Sequence, residues 1–105
     1  MAVLDNIRER VAARQYLLSK HAADQLITRD IAVVEVEQAL LGAAELIEDY
    51  PLDKYGPSCL ILGYTESGRA LHVQCAHSDP TVVKIVTVYE PDPDRWIDMR
   101  TRRRG

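Results

Sequence analysis

The chain has 105 residues, 47% hydrophobic and 28% charged, with a formal net charge of −3. That is one domain with one small core, too small to enclose a large cofactor, and its composition excludes disordered, collagen-like and coiled-coil classes. Its apolar runs are only a few residues long, far below the about 18 to 20 that span a bilayer, and the charged opening MAVLDNIRERV predicts neither a secretory signal nor a membrane partner, so a cytoplasmic protein is expected.

Val3, Leu4, Ile7 and Val11 recur at helical spacing, with Asp5 near the start, and predict a helix over 3–14. The YLLS segment at 16–19 reads as an extended link or edge strand, and Ser19 caps a second helix over 20–29. That helix presents Ala22, Ala23, Leu26 and Ile27 as its apolar stripe, and sets His21, Gln25 and Arg29 at four-residue spacing on a neighbouring polar face. Asp30-Ile31 interrupts it. A third helix follows over Val33–Leu41 and stops at Gly42. From residue 44 the hydrophobic period falls from about 3.6 to about 2. Strands are predicted over Glu45–Tyr50, 58–65, 69–76 and 82–90, separated by PLDKYGP, ESG and HSDPT, and they pair most economically as three consecutive antiparallel neighbours. The last strand is apolar on both faces, as a central or partner-covered strand would be. Pro91 and Pro93 end it, and Trp96 anchors the exit back onto the domain. The expected fold is α+β: N-terminal helices packed on a four-stranded, mainly antiparallel twisted sheet.

Charge is segregated along this layout. Residues 30–66 carry eight acids against one base, and residues 95–105 carry five arginines against one aspartate. A generally basic nucleic-acid coat is therefore excluded, whereas one local phosphate-facing patch is not.

Three places carry candidate chemistry. Lys20-His21 opens the second helix, where an imidazole shares free helix amides and Arg29 with a phosphate; the plainer alternative is a solvated Lys20 and a His21 that merely fixes the helix start. In RALHVQCAH, alternation puts Leu71, Val73 and Cys75 on one face and His72, Gln74 and Ala76 on the other, so His72 is expected on an open or partly open surface. A nuclease would use His72 for proton transfer opposite His21, with Arg29 or Arg100 holding the phosphate; the alternative is a histidine satisfied by sheet packing. In VTVYEPDPDRWIDMR, Tyr89 and Arg100 offer hydrogen bonding and charge to RNA, or the segment is simply a clamp for the C-terminus. Cys59 and Cys75 have no CxxC spacing, and His72 and Cys75 lie on opposite faces of one strand, so no metal site is expected. A three-residue loop at 66–68 would set Cys59 opposite Cys75, whereas a two-residue turn would set Cys75 opposite Leu60.

The stretches SKHAADQLITRDI, GYTESGRALHVQCA and VVKIVTVYEPDPDRW, in that order, resemble the bacterial family catalogued as domain of unknown function 4258, over about residues 16–98. That family in turn resembles the fold of the small RelE, ParE and BrnT toxins. The resemblance divides the single domain 1–105 into an N-terminal helix at 1–15, a family-like core at 16–98 and a basic tail at 99–105, disordered beyond Arg100. The family-like positions here are Lys20-His21, Arg29, Gly68-Arg69 with His72, and Tyr89-Glu90-Pro91. What the resemblance implies is a toxin-like endoribonuclease, with His21, His72, Arg29 and Tyr89 as the catalytic set and Lys20, Arg69 and Arg100 on the RNA, without cofactor. Its alternative is a noncatalytic interaction module, held by an antitoxin-like protein or by its own copy as a homodimer. The acidic balance departs from the strongly basic character of ribosome-dependent toxins.

Overall fold

The computed structural model describes residues 3–54 and 56–104; Met1, Ala2, Tyr55 of the predicted 51–57 link and Gly105 of the basic tail lie outside the described residues. Three helices, α1 (Val3–Ala12), α2 (Lys20–Thr28) and α3 (Val33–Leu41), stand beside strands β1 (Tyr16–Leu18), β2 (Glu45–Tyr50), β3 (Ser58–Tyr64), β4 (Ala70–Ala76) and β5 (Val83–Tyr89). The architecture is α+β, but the main sheet has five strands rather than four, in the order β1-β5-β4-β3-β2. The fifth is the YLL segment, which runs parallel to β5 with Leu17 opposite Lys84. Three residues carry too little alternation to declare a strand; what makes them one is the edge of β5. The Val83 N–H donates to the Gln15 carbonyl and the Ser19 N–H to that of Ile85, so β1 satisfies backbone groups that would otherwise lie open.

Where β1 ends, side chains continue its work. The Ser19 Oγ accepts the Ala22 N–H as the cap of α2 and donates to the Val86 carbonyl. One helical turn on, the buried Gln25 accepts the Val88 N–H at 2.8 Å. Of the face expected to be polar, Gln25 is thus turned against the sheet while His21 and Arg29 stay exposed, and Ile27, expected in the apolar stripe, is 81% exposed.

The helices bury one face of the sheet. Ile7 and Val11 from α1, Leu26 from α2, and Val36, Ala39 and Leu40 from α3 pack with Ile61, Leu71, Val73, Ile85 and Val88. A Cβ added at Gly63 would stand 2.1 Å from the Ala39 carbonyl oxygen, so α3 lies directly on the bare backbone of β3. The β3–β4 hairpin closes through the Arg69 carbonyl, which accepts the Thr65 N–H, leaving Gly68 in the left-handed region at φ 89. This three-residue loop sets Cys59 opposite Cys75. Both thiols are free and buried, and burial pushes Cys59 up to about 12.

Part of the other sheet face, around His72, is covered by a short hairpin, β6 (Trp96–Ile97) and β7 (Thr101–Arg102), which together form a second, two-stranded sheet. Its three-residue loop, 98–100, holds Asp98 and Met99 at φ 52 and 64, with the Arg100 N–H donating to the Ile97 carbonyl. The arginine-rich end is therefore folded back rather than loose: Arg100 pairs with Glu45 and Arg102 with Glu48, both at 3.0 Å, and the Arg103 N–H donates to the Arg95 carbonyl. Among the described residues, no helix is long and apolar enough to cross a membrane.

Candidate functional site

His72 stands on the outer sheet face, as alternation requires, but that face is not open at this point. The side chain is 0% exposed, because Trp96 packs edge-on against it at 4.5 Å between ring centroids and Tyr89 at 5.2 Å. Both ring nitrogens are engaged: Nε2 lies 2.6 Å from the Met99 carbonyl oxygen and Nδ1 3.1 Å from the Tyr89 hydroxyl. A carbonyl only accepts, so Nε2 carries the proton, Nδ1 is the acceptor, and the Tyr89 hydroxyl donates to it. Burial lowers the His72 pKa and outweighs the Met99 carbonyl, so the imidazole is held neutral.

Tyr89 connects this buried histidine to the surface. It lines a cleft of about 380 Å³ together with Arg29, Glu90, Asp92, Arg95, Trp96 and Arg102. Burial raises the Tyr89 pKa and the Glu48 charge adds to it; the charges of Arg102 and Arg29 oppose the rise without reversing it. Arg102 lies 4.6 Å above the centre of the Trp96 ring and is held by Glu48 and Tyr50. Among the described residues, Arg29 and Arg95 enter no ion pair, unlike Arg69, Arg100 and Arg102. The two acids of the cleft are engaged: Glu90 binds Arg69, whose hydrogen bond holds its pKa below the usual carboxylate range, and Asp92 Oδ1 accepts the Asp94 N–H.

Arg69 positions the rim without facing the cleft. Its guanidinium donates to the Arg29 and Asp30 carbonyls at 2.9 and 2.8 Å and bridges Glu35 and Glu90 at 3.2 and 3.0 Å. It clasps the α2–α3 turn to the end of β5, and so fixes the backbone from which Arg29 projects.

Of the residues expected in the site, Arg29, Tyr89 and His72 are brought together, His72 behind Tyr89. His21 is elsewhere. It lines a second cavity of about 740 Å³ over the other end of the outer sheet face, among Leu17, Gln74, Lys84, Val86 and Thr87. Lys20 is exposed and paired with Asp24 at 3.0 Å, and Arg100 is held by Glu45. Arg95 and Arg102 were absent from the expected set. The only signal for them was the basic C-terminus, whose spacing after β5 says nothing of a hairpin that folds back.

The family model described as Domain of unknown function (DUF4258) matches residues 18–90, from the end of β1 to the residue after β5. The match takes in Arg29, Arg69, His72 and Tyr89 and stops short of the C-terminal hairpin. No curated protein and no solved structure matches the chain.

Proposed function

The chain belongs to the family of domain of unknown function 4258, and from the geometry of its arginine cleft we propose that it binds and cleaves RNA at a phosphodiester. The observation that carries this reading is the convergence of Arg29, Arg95 and Arg102 around Tyr89, with a neutral His72 placed to accept the phenolic proton. Guanidinium groups suit phosphate oxygens by charge and by planar donor geometry. Among the described residues Arg29 and Arg95 are in no ion pair, although the Arg29 charge helps to hold the Glu90 pKa down.

In this reaction the 2′-hydroxyl attacks the adjacent phosphorus and the bond to the 5′ oxygen breaks. The 2′ proton passes to the Tyr89 oxygen as the phenol's own proton passes to His72 Nδ1, the 5′ oxygen leaves with a proton from solvent, and the imidazolium then returns its proton through Tyr89 to solvent. The products are a 2′,3′-cyclic phosphate and a 5′-hydroxyl end. The Met99 carbonyl steadies the imidazolium formed, and the arginines offset charge on the phosphate. Tyr89 is the catalytic residue in this scheme, and His72 is a positioning residue that acts through it.

The test is cleavage of single-stranded RNA by the purified chain, with growth on expression as the cellular counterpart. Tyr89→Phe is expected to lower cleavage by about 100-fold or more while leaving binding near wild type. The double change Arg29→Ala with Arg95→Ala is expected to weaken RNA binding at least about tenfold. Intact RNA after prolonged incubation, or binding indifferent to both arginines, would sink the proposal.

A further inference from the structure

The larger cavity on the outer sheet face is not used by the reaction above, yet it is bordered by the same strand, β5, that carries Tyr89 into the cleft. Resting on the phosphodiester reading, we propose that this cavity is the subsite for the neighbouring nucleobase, and that Gln74 Oε1 selects a base bearing an exocyclic amine.

Along one wall of the cavity β5 departs from regular alternation. The β4–β5 register shifts between Gln74, opposite Thr87, and Cys75, opposite Ile85. The extra residue lets Ile85 and Val88 both enter the core, and Val86 and Thr87 both line the outer cavity. Thr87 borders this cavity and Tyr89 borders the arginine cleft. Two strand residues span on the order of 7 Å, the reach of one extended nucleotide. Leu17 and Val86 give the cavity an apolar surface for the face of a base, and the exposed Lys84 and His21 stand among its lining residues.

Selectivity follows from a hydrogen-bond chain that orients one amide. The Ser58 hydroxyl, fully buried, donates to Asp53 Oδ2 at 3.2 Å, so its oxygen is left to accept, and Gln74 Nε2 donates to it at 3.1 Å. The amide nitrogen is thereby turned toward Ser58, and Oε1, which has no partner among the described residues, is the group left for a ligand. An acceptor there takes the amine of adenine, cytosine or guanine outright. The one ring donor of uracil is flanked by two carbonyl oxygens that oppose Oε1.

The experiment is an NMR titration of the folded chain with adenosine, cytidine, guanosine and uridine, following the Gln74 side-chain amide and the Thr87 backbone. The three amino-bearing nucleosides are expected to shift both signals, with uridine at least about fivefold weaker, and Gln74→Leu to erase the difference. If that variant does not fold, the wild-type ranking alone decides. No shift at Gln74 and Thr87 with any nucleoside, or equal affinity for uridine, overturns the proposal. Nucleosides carry no phosphate, so a base-selective shift in a chain that neither binds nor cuts RNA through its arginines would discard the phosphodiester reading and leave the base subsite standing.

Discussion

At His72 the carbonyl of Met99 and the hydroxyl of Tyr89 assign each ring nitrogen a role, and burial makes the neutral form the stable one. The folded pKa lies below the ordinary 6.5, so the unfolded chain takes up its proton first as pH falls. The stabilisation owed to a neutral His72 is therefore complete above about pH 6.5 and is lost as pH falls through the folded pKa. Urea midpoints of wild type and His72→Gln should differ most at about pH 7.5, and the gap should shrink by about pH 5; a gap that stays constant or widens contradicts a lowered pKa. The residue type and its sheet face were legible in RALHVQCAH. Its burial was not, because the covering atoms come from Trp96 and Met99, more than twenty residues away.

At the scale of elements, the β3–α3 contact is a backbone-on-backbone joint that leaves no room for a side chain at Gly63. Gly63 is in ordinary strand conformation, and its requirement is space: a methyl group there meets the Ala39 carbonyl at 2.1 Å, and neither backbone can yield without opening the layer. Gly63→Ala is expected to lower unfolding free energy by about 1–3 kcal/mol, measured by thermal or urea melting, whereas Gly68→Asn at the exposed turn should cost far less because Asn tolerates left-handed φ. Equal effects at the two glycines would show that the helix does not rest on this strand. Helices α1 to α3 and strands β2 to β5 were legible from period and turn residues. Four features were not: the pairing of YLL with β5, the role of Gln25 in finishing that edge, the β5 bulge, and the β6–β7 hairpin. The first three depend on which backbone groups the rest of the fold leaves open.

For the whole molecule, the net charge of −3 coexists with a basic cleft because much of the arginine charge is spent internally. Arg100 and Arg102 face Glu45 and Glu48, so the acidic middle of the chain and its basic end partly neutralise one another, while Arg69 is taken up by Glu35 and Glu90 at the α2–α3 turn. With three arginines at the cleft, single-stranded RNA affinity should fall with salt at a log–log slope of about −2, read by fluorescence anisotropy over a salt series. A flat response would remove the arginines from the interface, and a much steeper one would call for a wider basic surface than this cleft. By itself the sequence determined the three helices, the consecutive antiparallel strands β2 to β5 and the turning of Leu71, Val73 and Cys75 away from His72 into the core, because these follow from local period and residue type. Only the tertiary structure decided that Arg29, Tyr89 and His72 share one place with Arg95 and Arg102 while His21 occupies another. That grouping is made by long-range backbone contacts, above all the C-terminal hairpin folding over β4 and the clasp of Arg69 on the α2–α3 turn, and no local pattern encodes where such contacts land.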